Sequence, residues 1–282
     1  MTVEPPPEHV LAAFGLSGVT PVPLGAGWEG GWRCGEVVLS MVADHARAAW
    51  SARVRETLFV DGVRLARPVR STDGRYVVSG WRADTFVAGA PEPRHDEVVS
   101  TAVRLHEATS KLERPRFLTQ GPSVPWADID VFIAADRAAW EDRPLQSVPP
   151  AATAPSPDGQ RSIELLNQLA GLRRRTKSPS QLVHGDLYGT VLFAGTAAPG
   201  ITDITPYWRP ASWAAGVVVV DALSWGDADE GLIERWNALP EWPQMLLRAL
   251  MFRLAVHALH PRSTAEAFPG LVRTAALVRL VL

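Results

Sequence analysis

The sequence predicts an α+β protein in two parts, a β-rich segment over residues 1–90 and a mainly helical segment over residues 91–282. Short extended runs between glycine turns fill the first segment, whereas apolar residues at helical spacing dominate the second. A break at residues 91–93, Pro-Glu-Pro, separates the two patterns. A chain of 282 residues is long enough for one large domain or two tightly joined lobes.

The composition argues against several classes of function. A formal net charge of -2 gives no reason to expect a nucleic-acid-binding surface. The single cysteine, Cys34, rules out an intramolecular disulfide and fits a reducing compartment. The first residues lack the basic and apolar regions of a signal peptide, and no apolar run approaches the ~20 residues that a membrane helix needs. These features predict a cytoplasmic protein that binds neither nucleic acid nor membrane.

The first segment should contain one helix among its strands. A glycine-rich turn at residues 25–31 leads into an extended run over 36–42. Apolar residues at helical spacing predict a helix over 46–60. Further strands are predicted over 64–69 and 76–81.

The second segment should be built mainly from helices, because its apolar residues recur every three or four positions. Residues 148–159 are rich in Pro, Ala and Ser and predict a loop between two of these helices. The predicted helices span residues 95–112, 130–140, 163–175, 213–225 and 242–259.

The clearest chemical pattern lies at residues 181–193. There the polar triplet His184-Gly185-Asp186 has apolar residues on both sides, which is typical of a loop held between short buried strands. Asp203, ten residues after Phe193, again lies between apolar neighbours. Two carboxylates on neighbouring rigid loops can divide the work of phosphoryl transfer. One accepts the proton of the attacking hydroxyl, and the other holds the magnesium that bridges the phosphates.

These residues resemble the catalytic loop of aminoglycoside phosphotransferases and the related choline- and homoserine-kinase-like enzymes. In that superfamily His-Gly-Asp-Leu is followed by a short spacer, Asn, a few apolar residues and an Asp in an apolar strand. The resemblance covers most of the chain, since the glycine turn lies where a nucleotide loop belongs and Leu105-His106 matches the end of the first large helix. Residues 206–210 resemble a bacterial branch of the superfamily. The resemblance implies a protein-kinase-like, two-lobed fold with a small β-rich N-lobe.

The resemblance also implies roles for the matching residues. Asp186 would be the catalytic base, and His184 would fix the backbone of its loop from behind. Asp203 would be a magnesium ligand. Thr190 stands where the family has asparagine, and its hydroxyl could serve as a second magnesium ligand, as the P-loop Ser/Thr does.

The predicted nucleotide site departs from the family at the lysine that grips the phosphates. Ser40 occupies that position, and no lysine precedes Lys111. Arg33 on the preceding strand is a candidate replacement, although a solvent-facing strand residue is the plainer interpretation. Glu56 is the candidate for the helix glutamate that pairs with the cation, and an exposed helix residue is equally consistent with the pattern. The residues predicted to bind ATP or GTP are Gly25, Gly27, Gly30, Arg33 and Ser40.

Three functions stay open on this pattern. The first is a phosphotransferase that uses ATP or GTP with Mg²⁺ to phosphorylate the hydroxyl of a small molecule. The second is a pseudokinase, a binding or regulatory module with a protein partner, which the residues at Ser40 and Thr190 favour. The third is a kinase-fold enzyme with lyase or cyclase chemistry in natural-product biosynthesis, in which Asp186 would act as a base without phosphate.

Overall fold

The computed structural model describes residues 4–25, 27–28, 30–119, 128–141 and 158–282. Most of the loop predicted at 148–159 lies outside these residues. The chain divides into two compact units. Unit 1 comprises Met1–Glu113 and Leu182–Tyr207, and unit 2 comprises Arg114–Gln181 and Trp208–Leu282.

This division differs from the predicted boundary at residue 90. Residues after that point, up to Glu113 and again from Leu182 to Tyr207, belong to the same compact unit as the N-terminal sheet. The reason is a set of long-range contacts, such as the hydrogen bond from Thr109 Oγ1 to the Leu182 carbonyl at 2.8 Å. His184-Gly185-Asp186 and Asp203 therefore belong to the same unit as the glycine turn.

The secondary structure confirms the predicted α+β class, with a small antiparallel sheet in unit 1 and helices in most of the remainder. In the described ranges the strands are β1 (Val22–Pro23), β2 (Trp32–Cys34), β3 (Val37–Met41), β4 (Arg64–Leu65), β5 (Pro68–Val69), β6 (Val77–Val78), β7 (Trp81–Thr85), β8 (Gln181–His184), β9 (Gly200–Ile201) and β10 (Pro206–Arg209). The α-helices of the same ranges are α1 (Glu8–Ala13), α2 (His45–Thr57), α3 (His95–Thr109), α4 (Asp128–Trp140), α5 (Gly159–Ala170), α6 (Ala211–Trp225), α7 (Leu232–Arg235), α8 (Trp242–Leu259) and α9 (Phe268–Leu280).

Strand β3 is central in the sheet of unit 1, with β2 on one side and β7 on the other, all antiparallel. Because side chains alternate between the two faces, Leu39 and Val38 enter different cores. Leu39 packs on the face covered by α1, whereas Val38 packs with Trp28 on the opposite face. That opposite face also carries the charged residues of the candidate site.

The strand predicted over 76–81 is wrong at its end. Ser79 and Gly80 both adopt positive φ, at 49° and 79°, and reverse the chain. As a result β6 stops at Val78, and β7 begins at Trp81 and pairs back on it. Arg82 and Asp84 therefore lie inside the paired strand β7. The sequence pattern predicts that the strand ends at residue 81, before both of them.

Helix α2 begins where Asp44 caps it. The Asp44 carboxylate accepts the backbone N–H groups of Ala46 at 2.9 Å and Arg47 at 3.1 Å, which satisfies two of the donors that a helix start leaves unpaired. The helix ends at Thr57, three residues before the predicted end. It directs Ser51 and Arg55 toward the interior of unit 1.

Unit 2 is organised around α6 and α8, which are buried along almost their entire length. Arg253 donates to both carboxylate oxygens of Asp221, so the one acidic residue of α6 is paired inside this core. Helix α9, which lies outside the predicted helices, packs against α6 at Gly270, where an added Cβ would overlap the Ser224 carbonyl. None of the helices in the described part of the chain combines the length and apolarity needed to cross a membrane.

Candidate active site

A pair of buried histidines positions the loop that carries Asp186. The backbone N–H of His184, the last residue of β8, donates to Nε2 of His106 on α3 at 3.0 Å. Nδ1 of His184 accepts the N–H of Asp186 at 3.2 Å. The His184 imidazole also hydrogen-bonds the backbone of Asp203. His184 therefore holds the backbone at both carboxylates of the predicted site.

Both histidines are neutral at physiological pH. Burial, together with the neighbouring His184, lowers the pKa of His106 to about 3. Burial also lowers the pKa of His184 to about 4, against the opposing effect of Asp186 and Asp203. A neutral imidazole keeps one ring nitrogen as an acceptor, and both hydrogen bonds to backbone N–H groups depend on that acceptor.

Gly185 allows the loop to pass close to its neighbour. An added Cβ at this position would overlap the ring of Tyr207, and the Gly185 N–H donates to the Thr205 carbonyl at 3.0 Å. The loop then closes on itself, because Thr190 Oγ1 donates to the carbonyls of Asp186 at 2.9 Å and Leu187 at 3.1 Å. The backbone around Asp186 is thus fixed from both sides.

The Asp203 carboxylate follows β9 and is held by the protein's own donors. Oδ1 accepts Ser51 Oγ at 2.5 Å and the Ile204 N–H at 2.8 Å. Oδ2 accepts Arg82, and Nε of Arg55 lies 3.5 Å from Oδ1. Burial raises the pKa of Asp203, but the two arginines and the Ser51 hydroxyl outweigh burial and hold the pKa well below its usual value.

The two arginines share a second carboxylate, Asp84 on β7. Arg55 is fully buried and donates from Nη1 to Asp84 Oδ1 at 2.7 Å and to the Ala66 carbonyl at 2.6 Å. Nε of Arg82 lies 3.3 Å from Asp84 Oδ2. Two guanidinium groups and two carboxylates therefore form one alternating network, which we call the arginine–aspartate network (Arg55, Arg82, Asp84 and Asp203).

Arg82 lies beside the position where the sequence lacks a lysine. Ser40 of β3 is directly opposite Arg82 of β7 in the register of the sheet. Directly opposite residues on antiparallel strands project from the same face. The Ser40 side chain is buried, and a Cβ added at Gly31 would lie 2.8 Å from its Oγ. The cation on this face is therefore supplied across the sheet.

Arg33, the cation considered from sequence, is directed along its own hairpin. Its Nε donates to the Gly35 carbonyl at 2.8 Å, and its Nη2 lies 3.1 Å from Glu36 Oε1. Its guanidinium lies 3.8 Å from the centroid of the Phe86 ring. The contacts of Arg33 are therefore with Gly35 and Glu36 of its own hairpin and with the Phe86 ring.

Glu56 is on the exposed side of α2. Its carboxylate accepts both Arg70, at 3.0 Å for each oxygen, and Tyr76 Oη at 2.7 Å. The residue of α2 that enters the network is its neighbour Arg55. The helix therefore contributes a positive charge to the site, where the family resemblance implies a negative one.

The glycine turn directs Trp28 into the sheet. The Gly27 carbonyl accepts Thr202 Oγ1 at 2.9 Å, and Gly27 has a φ of 90°. The Gly25 carbonyl accepts the Trp28 N–H at 3.3 Å, and Gly30 also has positive φ. These bonds fold the turn back toward the segment that carries Asp203.

The indole of Trp28 is only 5% exposed and lies in an apolar slot on the Val38 face of the sheet. Its ring stacks on Phe86 with 6.0 Å between centroids. The same face of β3 carries Val38 and, two residues later, Ser40, so this slot borders the arginine–aspartate network. The other residues of the slot are Leu24, Ala66, Val87 and Leu192.

Comparison with solved structures gives matches over nearly the whole chain. The microcompartment-associated aminopropanol kinase has a TM-score of 0.59 at 17% identity, covering 96% of this chain and 94% of its own. A thermostable mutant of aminoglycoside phosphotransferase APH(4)-Ia, with ADP and hygromycin B, has a TM-score of 0.56 at 15% identity, covering 96% and 97%. AMP-bound spectinomycin phosphotransferase APH(9)-Ia has a TM-score of 0.58 at 12% identity, covering 96% of both chains. The chain has the aminoglycoside-phosphotransferase fold.

The predicted resemblance is thereby confirmed at the level of the fold. Neither a comparison with protein-family models nor one with curated protein sequences gives a match. Within the aminoglycoside-phosphotransferase fold, the sequence-predicted residues Asp186, His184 and Asp203 are brought together around one imidazole. Ser40 and the glycine turn lie on the same sheet face as the network.

The residues present do not fit the divalent cation that this fold implies. The Asp203 carboxylate is already neutralised by two guanidinium groups, whose charge opposes a cation there. The Thr190 hydroxyl donates to two carbonyls of its own loop. Among the described residues there is no group of three or more His, Cys, Asp or Glu side chains that could hold a metal ion.

Sequence reasoning missed the side chains that surround Asp203. Ser51 and Arg55 lie on α2, one turn apart, and Arg82 and Asp84 lie two positions apart on β7. A signal was present, since Arg82 and Asp84 are separated by one residue in a strand and therefore share a face. The sequence pattern could not show that this face is buried against Asp203.

Proposed function

We propose that this chain is a small-molecule phosphotransferase, which moves the γ-phosphate of ATP or GTP to the hydroxyl of a small acceptor. The observation that carries the proposal is the support built around Asp186. Two buried, neutral histidines and a self-closed loop fix the backbone of this carboxylate. Such positioning is what a catalytic base requires, because its rate contribution depends on geometry.

In the proposed reaction the acceptor hydroxyl approaches the terminal phosphorus with its proton directed at Asp186. The new bond forms between the hydroxyl oxygen and phosphorus, and the bond from phosphorus to the bridging oxygen breaks. The hydroxyl proton passes to the Asp186 carboxylate, and the nucleoside diphosphate leaves. Arg82 lies on the sheet face that would receive the phosphates and offers charge to their oxygens.

The aromatic base of the nucleotide would take the slot that Trp28 fills. The slot is lined by aliphatic side chains and by Phe86, which suit a planar ring. A Trp28→Ala variant should therefore bind ATP about tenfold more tightly, because the base no longer competes with the indole. Titration calorimetry measures this change, with a melting curve to check the fold. Weaker binding in a folded variant would make Trp28 part of the binding surface.

The proposal is tested by incubating the protein with ATP or GTP carrying a labelled terminal phosphate and panels of amino alcohols and aminoglycosides. These panels follow from the structural neighbours, which include an aminopropanol kinase and a phosphotransferase bound to hygromycin B. We expect the label to pass to one chemical class of acceptor, with the product identified by mass spectrometry. Failure to bind either nucleotide would overturn the proposal.

The pairing of Asp203 with two arginines favours a second candidate, a pseudokinase that binds a ligand or protein partner without turnover. This function predicts nucleotide or ligand binding with no transfer to any acceptor. Transfer to an acceptor, even a slow one, would exclude it. A phosphoryl-transfer assay therefore distinguishes the two candidates, whereas a measurement of nucleotide affinity does not.

A further inference from the structure

We infer that Arg82, supported by Arg55, takes the place of the divalent cation, so that the site binds the phosphates of a nucleotide directly through guanidinium groups. The inference rests on the nucleotide site of the proposed function. It concerns the charge that meets the phosphates, and therefore makes predictions that differ from those of the reaction itself.

The first step is the location of the positive charge. Arg82 projects from the same sheet face as Ser40, whose position in the fold would otherwise hold the phosphate-binding lysine. A guanidinium group presents a planar set of donors that matches the oxygens of a phosphate. The missing lysine is thus compensated from the adjacent strand.

The second step is the state of Asp203. Its Oδ1 accepts Ser51 and the Ile204 N–H, and its Oδ2 accepts Arg82. Mg²⁺ demands near-octahedral oxygen ligands, and here it would meet one carboxylate already surrounded by donors. The two arginines supply two positive charges, which Asp84 and Asp203 balance within the network.

The third step is access. Asp203 is the most exposed member of the arginine–aspartate network, at 26%, and Arg82 follows at 9%. Phosphate oxygens can therefore approach Arg82 from the Asp203 side and take over its donors. Arg55 is fully buried and keeps its bonds to Asp84 and Ala66, so it holds the local charge while Arg82 changes partner.

The network also has spare donor capacity. Nη2 of Arg55 is buried and has no hydrogen-bond partner among the described residues. Asp84 and Asp203 pair with the other nitrogens of this guanidinium, and a buried donor that lacks an acceptor is costly. A bound polyphosphate beside Arg82 would add acceptor oxygens to the network.

The test is a titration of the full chain with ATP and with inorganic tripolyphosphate, each in Mg²⁺ and in EDTA. We expect affinities in the two conditions to agree within about threefold, and Arg82→Gln to weaken both ligands by about 10²-fold in EDTA. Arg75→Gln is the matched control, because Arg75 is 60% exposed on a turn of the same unit and pairs with Asp73. Melting curves establish that each variant is folded.

Asp203→Asn gives an independent answer if Arg82→Gln fails to fold. Loss of the carboxylate releases Arg82, so tripolyphosphate should bind several-fold more tightly in EDTA. Weaker binding of ATP in Mg²⁺ by this variant would identify Asp203 as a metal ligand and overturn the inference. The inference would also be overturned if the wild type bound ATP more than about tenfold more tightly in Mg²⁺ than in EDTA.

The outcomes separate the inference from the proposed function. Phosphoryl transfer that requires Mg²⁺ would overturn the inference and leave the function standing. Tripolyphosphate binding in EDTA that depends on Arg82, with no transfer from ATP or GTP, would support the inference and exclude the proposed turnover. If tripolyphosphate bound neither in Mg²⁺ nor in EDTA, the inference would be overturned.

Discussion

An Asp186→Asn variant should bind nucleotide as the wild type does and lose phosphoryl transfer by about 10²–10⁴-fold, the range typical of a positioned base. The amide has nearly the shape of the carboxylate, and the loop bonds that hold Asp186 use its backbone N–H and carbonyl. The fold should therefore be retained while the proton acceptor is removed. The measurement is kcat with the acceptor found in the transfer assay, together with nucleotide affinity.

The matched control is Asp61→Asn, which makes the same chemical change at an exposed turn of the same unit. This variant should transfer phosphate at the wild-type rate. Equal rates in Asp186→Asn and wild type would show that Asp186 is not the base. Parallel losses of kcat and melting temperature would instead assign Asp186 a structural role.

The second large effect is on stability. Arg55→Leu should lower the free energy of unfolding by about 3–5 kcal/mol, because it removes one partner of a buried ion pair. Asp84 is 1% exposed and would be left facing Arg82 alone, and the Ala66 carbonyl would lose its donor. Urea unfolding followed by circular dichroism measures the change, provided that the slope with denaturant stays constant.

The control for this stability change is Arg53→Leu on the exposed side of the same helix, which should stay within about 0.5 kcal/mol of the wild type. Replacing both Arg55 and Asp84 with leucine should cost less than Arg55→Leu alone, because no buried charge is then left unpaired. A double variant that loses the sum of the two single losses would argue against charge burial as the cause.

The structure of the loop at residues 184–186 was predictable because its signal is local. His184, Gly185 and Asp186 are adjacent in the chain and lie between short apolar runs, and the strand and turn that hold them form from these same residues. Helix α8 was predicted with the bounds Trp242–Leu259 that the structure shows. Its long apolar run and flanking polar residues specify a buried helix without reference to other parts of the chain.

The sequence predictions were wrong where one local pattern of residues is compatible with two different structures. The extended residues around Ser79-Gly80 read as one strand, yet positive φ at both positions splits them into β6 and β7. On α2, Glu56 and Arg55 are neighbours, and their order of burial depends on which side of the helix meets the sheet. Successive residues project about 100° apart around the helix axis, so the orientation of the helix against the sheet decides which of the two is buried, and helix propensity does not fix that orientation.

The sequence by itself determined the α+β class and pointed to the loop at 184–186 and the second carboxylate at Asp203 as the candidate site. Only the tertiary structure decided the surroundings of that carboxylate. Strand register places Arg82 opposite Ser40, helix orientation turns Arg55 inward, and the folded turn buries Trp28. These contacts join residues tens to more than a hundred positions apart. Their energies depend on burial and on the pairing of charges, which no local pattern of residue types specifies.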